Sequence, residues 1–309
     1  MTIPNNVYNI KKNAFGNCTT LTTVNLRCPN FMQHYFSPDE SLKTIFGNQV
    51  QTYNLIDVSH IGGCAFYGCT GISSVNCDIS LRHIGSMAFE GCTGLTQISF
   101  PNDLRYIDEY AFYGCTGLTS VFIPSSVNSL GKEIFYECPN LTKVLLYSKT
   151  IVSANRTDGT SLKTIFGDQV EKYRIGDGVS EIGDYAFFGS SNLKSVIIPS
   201  SMTLIGNQSF SHCSELEKID CEATTPPDAF NNTFEDVETS QVLLVVPDGS
   251  LAQYKAHNVW KQFWVETPTG ISSLLTSPEE EPIYDLSGRR LQKMQRGINI
   301  VGGKKVLMK

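Results

Sequence analysis

Residues 107–123 read Ile107-Asp108-Glu109-Tyr110-Ala111-Phe112-Tyr113-Gly114-Cys115-Thr116-Gly117-Leu118-Thr119-Ser120-Val121-Phe122-Ile123, and the rest of the chain repeats this phrase. Phe66, Phe89, Phe112 and Phe135 lie 23 residues apart, and Phe187 and Phe210 keep the same interval. An earlier copy runs Ile10, Ala14, Phe15, Cys18, Leu21, Val24, Leu26. A fixed period of this length marks a stacked-repeat architecture rather than a globule.

The spacing inside the phrase says what each repeat builds. Leu118, Val121 and Ile123 end in a period-two apolar pair, which suits a short strand, and Pro124-Ser125-Ser126 then turns the chain. One strand per repeat stacks into a parallel sheet. The Ala-Phe segment supplies the opposite wall, expected as a short helical or 3₁₀ turn. No repeat can bury Phe, Leu, Val and Ile alone, so the core forms only between neighbours. Two gaps interrupt the register with almost the same words, Ser41-Leu42-Lys43-Thr44-Ile45-Phe46-Gly47 and Ser161-Leu162-Lys163-Thr164-Ile165-Phe166-Gly167. Both read as shortened repeats, because Val170, Tyr173 and Ile175 match Leu118, Val121 and Ile123 in spacing. That gives nine repeat phenylalanines, from Phe15 to Phe210.

The unit Ile84-Gly85 through Ala88-Phe89 and Cys92 to Leu95 resembles the BspA-like leucine-rich-repeat family of bacterial surface proteins, and Ile182-Gly183 through Ala186-Phe187 repeats the likeness. The resemblance implies a leucine-rich-repeat solenoid, a right-handed superhelix with one short parallel strand per repeat. It also implies adhesion to host proteins. The stretch Tyr284-Asp285-Leu286-Ser287-Gly288-Arg289-Arg290 resembles the C-terminal β tails of exported Bacteroidetes proteins, sorting domains among them.

Four segments follow from the pattern: a solenoid over residues 1–221, a strand-helix cap over 222–265, a linker over 266–282 and a basic β tail over 283–309. Pro226 and Pro227 lack amide donors and are expected to end the strand ladder. Leu251, Tyr254, Trp260 and Phe263 give the cap its apolar area, with Trp260 in the core. Seven of the 24 Lys and Arg residues, but only Asp285 among the 30 acidic ones, fall in residues 283–309. The net charge of −6 argues against a nucleic-acid partner. No apolar run approaches the roughly 18 residues of a membrane helix. The opening words Ile3-Pro4-Asn5-Asn6-Val7 match Ile123-Pro124-Ser125-Ser126-Val127, so an export signal ahead of them is expected to have been removed.

Chemistry-bearing residues do not assemble into a reaction centre. Six of the ten cysteines (Cys18, Cys69, Cys92, Cys115, Cys138, Cys213) share one repeat position and are expected as buried thiols, although stacked rungs leave disulfide pairing open. The five histidines are expected at unrelated repeat positions. With no phosphate-binding glycine signature and no Cys-x-x-Cys pair, no catalytic residue, cofactor or metal is expected.

A binding face is legible instead. On each strand the residue between the two inward side chains points out of the core, giving Asn25, Asn54, Asn76, Ser99, Phe122, Leu145, Arg174, Ile197 and Asp220. The first four rungs are polar. Phe122, Leu145, Arg174 and Ile197, with Lys143, Lys172 and Lys218 one column away, form a basic, partly apolar strip and the candidate partner site. The alternative is that the cap or an interrupting segment covers them. The expected role is a non-catalytic surface or secreted protein binding a protein or glycan of a host or neighbouring cell; a structural spacer is the alternative. The sequence does not fix an oligomeric state.

Overall fold

The computed structural model describes residues 1–268 throughout and, beyond them, the backbone of strands Ile283–Tyr284, Arg290–Leu291, Gly297–Val301 and Lys304–Met308. The chain divides into two compact units, Met1–Leu141 with Ile283–Lys309, and Thr142–Pro282. This division cuts across the expected solenoid segment 1–221.

In the first unit, strands Thr2–Ile3, Thr23–Leu26, Thr52–Leu55 and Ser74–Cys77 pair in parallel. The register puts Val24, Tyr53 and Val75 in one column and Leu26, Leu55 and Cys77 in the next, all buried. Residues 96–100 form no strand, yet Ile98 and Phe100 keep the inward positions. A second, narrower ladder joins His60–Ile61, His83–Ile84, Tyr106–Ile107 and Ser129–Leu130, again in parallel.

The repeat phenylalanines stack between these walls. Phe66, Phe89, Phe112 and Phe135 follow one another at 4.7, 4.9 and 5.2 Å between ring centroids, with planes within 10° of parallel. That spacing is the rise of a parallel ladder, so rung geometry and ring stacking reinforce each other.

The opposite wall corrects the expected helical or 3₁₀ turn. In the 23-residue repeats it is a run of turns whose amides bond to the next rung: Met87 N–H to Glu109 O, Phe89 N–H to Ala111 O and Gly91 N–H to Tyr113 O, at 3.1, 2.7 and 2.8 Å. The cause is local. Met87, Tyr110 and Tyr185, each two residues ahead of a repeat Phe, hold φ of 57°, 59° and 55°, which breaks any right-handed helical run. Among the described residues, helices lead into the Phe only in the interrupting segments, at Leu42–Phe46 and Lys163–Phe166. Those segments are also not shortened when counted along the strand ladder. Val24 pairs with Tyr53 and Val144 with Tyr173, 29 residues on rather than 23, because each gap also holds a second short helix, Pro29–Met32 or Lys149–Val152.

In the second unit, strands Lys143–Leu146, Lys172–Ile175, Ser195–Ile198, Lys218–Cys221, Leu243–Val245 and Trp264–Glu266 form one parallel ladder. The ladder therefore does not stop at Cys221. Pro226 and Pro227 lie between strands, outside the paired residues, so their missing donors cost the sheet nothing; Asp228–Ala229 even continues the narrow ladder from Leu204–Ile205. Phe234 extends the aromatic column, 5.4 Å from Phe210 and 8° from parallel. Trp260 is fully buried, as expected, against Phe234, Tyr254 and Phe263. The helix of the cap ends at Ala256, and Trp260 starts a separate 3₁₀ turn, Trp260–Gln262.

The tail strands pair antiparallel, with Ile283–Tyr284 between Arg290–Leu291 and Gly297–Val301, and Lys304–Met308 outermost. Residues 269–282, most of the expected linker, lie outside the described residues.

The cysteine column is buried except at Cys18, which is exposed in the first repeat, and all ten cysteines are free thiols. The buried column does more than fill space. Cys92, Cys115, Cys138 and Cys213 each donate to the carbonyl of the preceding repeat's Phe, at 3.1–3.2 Å. Burial pushes the Cys69, Cys77 and Cys213 thiols up to about 12. A thiol-specific disulfide reagent at pH 8 should therefore modify Cys18 alone in the native chain and all ten after unfolding; rapid reaction of several native thiols, followed by mass spectrometry, would contradict the burial.

Candidate interaction face

The outward positions of the two wide ladders differ in character. In the first unit they carry an amide ladder. Asn76 Nδ2 donates to Asn54 Oδ1 at 2.7 Å, Asn54 Nδ2 to Asn25 Oδ1 at 2.6 Å, and Asn25 Nδ2 to Thr2 Oγ1 at 3.1 Å. Thr52 and Ser74 bond beside it at 3.2 Å. The expected polar rungs Asn25, Asn54 and Asn76 are thus satisfied by one another. Phe122, on strand Ser120–Ile123 of this unit, is 6% exposed.

In the second unit the register aligns two outward columns. One runs Lys143, Lys172, Ser195, Lys218, Leu243, Trp264; the other runs Leu145, Arg174, Ile197, Asp220, Val245, Glu266. Leu145 is 3% exposed, while Lys143, Arg174, Ile197 and Lys218 are half-buried and Lys172 is exposed. The expected strip is corrected on two counts. Phe122 and Leu145 are not available to a partner: the outward direction leaves a side chain exposed only where nothing covers the sheet, and apolar side chains of this size gain about 2–3 kcal/mol from being covered. Nor is the strip a free basic surface. Arg174 lies 3.7 Å from Glu222 and Lys218 2.8 Å from Asp220. At the rim, Lys194 sits 2.8 Å from Glu171 and holds that carboxyl below its ordinary value by hydrogen bond and charge.

What remains open lies further along the sheet than the sequence indicated. Trp264 is 55% exposed on the last strand, in register with half-buried Leu243, and Ile197 and Val245 are half-buried in the next column. An exposed indole on a paired strand, in register with an aliphatic side chain and beside a column of internally paired charges, offers apolar area with polar edges. The sequence reads residues 242–246 as a buried strand of the cap; the strand is a rung of the ladder with Leu243 facing outward, and Trp264 lies on the next. This continuation is masked because Phe234 replaces the Ala-Phe-x-x-Cys wording with Thr233-Phe234 and Val237. The 24-residue step from Phe210 to Phe234 was the signal that could have revealed the rung.

Among the described residues no helix is long and apolar enough to cross a membrane, and no three His, Cys, Asp or Glu side chains are grouped as metal ligands.

Stacked repeats with a parallel strand ladder and an open outward face define a leucine-rich-repeat scaffold. The chain belongs to the BspA type leucine rich repeat region family, whose model matches six copies over residues 1–56, 48–163 and 163–243. No curated protein matches it. Among solved structures it is similar to the leucine rich repeat protein of T. pallidum, at 26% identity and a TM-score of 0.44 over 61% of this chain and 89% of that one. A leucine-rich repeat protein from Bacteroides ovatus is 18% identical, with a TM-score of 0.31 over 87% of this chain and 92% of that one. A leucine rich cell surface protein from Faecalibacterium prausnitzii is also 18% identical, with a TM-score of 0.20 over 88% of each chain.

Proposed function

We propose that the chain is a non-catalytic, surface-exposed or secreted bacterial binding protein that contacts a protein or glycan of a host or neighbouring cell through the strand face of its second unit. The observation that carries this reading is the half-exposed Trp264 on an ordered strand, with Leu243, Ile197 and Lys172 on the same face. Aromatic side chains set in a rigid surface contribute contact area at little entropic cost, and they dominate the energetics of protein interfaces. Membership of the BspA type family supports a surface role. The occupied contacts at Arg174 and Lys218 orient the face rather than attract a counter-charge.

The test is an array of host matrix proteins and glycans probed with the full chain and with a Trp264→Ser, Leu243→Ser, Ile197→Ser variant whose thermal unfolding is checked in parallel. Hits retained by the wild type and lost by the folded variant are expected. An identical hit pattern for the two would remove the face, and no hits at all would favour a spacer that displays neighbouring segments.

A further inference from the structure

A second polar cluster sits on the narrow ladder of the first unit, away from the strand face. His60 and His83 are register partners on adjacent parallel strands, their ring centroids 5.5 Å apart and the rings crossing at 74°. This corrects the expectation that the histidines share no repeat position; the two are separated by the 23-residue period itself.

Each imidazole has one ring nitrogen anchored. Ser59 Oγ lies 2.9 Å from His60 Nδ1 and also accepts from Gln33 Nε2 at 3.3 Å. Asp108 Oδ2 lies 2.8 Å from His83 Nε2. The remaining nitrogens, His60 Nε2 and His83 Nδ1, have no hydrogen-bond partner among the described residues. Both rings line a cavity of about 330 Å³ that Gln33, Tyr35, Gly62, Gly63 and Asp108 also border.

Fixing one nitrogen of an imidazole through a carboxylate while leaving the other free is how proteins prepare histidine for a metal ion. Asp108, a carboxylate that only accepts when ionised, holds the proton on His83 Nε2 and leaves Nδ1 with its lone pair, and Ser59 fixes the orientation of the His60 ring. Rung spacing of about 4.8 Å sets the two rings side by side, with centroids 5.5 Å apart, within reach of a single ion. The donors are nitrogens, which excludes hard ions such as Ca²⁺ and Mg²⁺ and selects late first-row metals.

We propose that His60 and His83 form a two-imidazole site for a divalent late transition-metal ion such as Cu²⁺ or Zn²⁺, with Asp108 and Ser59 as positioning residues. With no third His, Cys, Asp or Glu grouped as a ligand among the described residues, water from the open cavity completes the coordination. The ion is exchangeable and open to an external donor.

Calorimetry with CuCl₂ and ZnCl₂ on the full chain, with electron paramagnetic resonance of the copper form, tests this. One ion per chain is expected, with hyperfine coupling to two imidazole nitrogens. His60→Gln and His83→Gln should each weaken binding at least tenfold, Asp108→Asn about tenfold, and His34→Gln not at all. Copper-induced broadening of wild-type amide resonances should centre on residues 60 and 83, a readout that needs no variant. Binding that survives the His60→Gln, His83→Gln double variant, absence of saturable binding, or broadening centred elsewhere would overturn the site. Wild-type affinity in Asp108→Asn would remove its positioning role.

Discussion

Replacing Phe112 by alanine is expected to lower the unfolding free energy by about 3–5 kcal/mol. Phe112 is fully buried, stacked on Phe89 at 4.9 Å and on Phe135 at 5.2 Å, and met edge-on by Phe100 at 5.6 Å. Its removal leaves a ring-sized void between two rungs, and hydrogen bonds such as Phe89 N–H to Ala111 O and Phe112 N–H to Ile134 O keep the walls from closing over it. The matched control is Phe15→Ala. Phe15 is only half-buried and, among the described residues, stacks on Phe46 alone, at 5.2 Å, so its loss should cost about 1–2 kcal/mol. Urea unfolding followed by far-ultraviolet circular dichroism separates the two; equal losses would mean that the phenylalanine column is not the spine of the repeats.

Trp260→Ala should be as damaging, at about 3–5 kcal/mol. The indole closes the end of the second unit's aromatic column, packing on Phe234, Tyr254 and Phe263. Its Nε1–H donates to the buried Pro227 carbonyl at 2.7 Å, so truncation also orphans an acceptor, a penalty of about 1–3 kcal/mol within that total. Trp260→Phe keeps most of the ring volume and loses the donor, and should fall well short of the alanine loss. Hydrogen exchange adds a spatial readout: in Trp260→Ala the amides of Leu243–Val245 and Trp264–Glu266 should exchange sooner than those of Ser195–Ile198, because a stack of repeats opens from its uncovered end. Uniform exchange across these strands would contradict the capping role.

The repeat was readable because stacking turns a chain period into a spatial one. Their 23-residue interval alone sets Phe66, Phe89 and Phe112 in one column, and spacing alone carries Val170, Tyr173 and Ile175 across an interruption. Where the wording changed, the reading failed. Thr233-Phe234 masked the continuation of the repeat, so the strand at residues 242–246 reads as buried cap rather than as a rung with Leu243 outward and Trp264 beside it. Periodicity also fixes only the direction of a side chain. Phe122 and Leu145 point outward as expected and are nonetheless buried, since what covers a sheet is a long-range fact that no repeat position encodes. His60 and His83 were within reach of the same 23-residue count, but their pairing gained meaning only with Asp108 and Ser59 placed against the opposite ring nitrogens.

These features give one scaffold two unlike surfaces, an amide ladder that satisfies itself in the first unit and an aromatic, partly apolar face in the second. The most direct measurement is the affinity of an array-identified partner for the wild type and for Trp264→Ser, read by surface plasmon resonance with both proteins shown to unfold alike. A loss of at least tenfold, the scale of a hot-spot aromatic, is expected. Unchanged affinity in the folded variant would contradict the assignment of this strand face to partner binding.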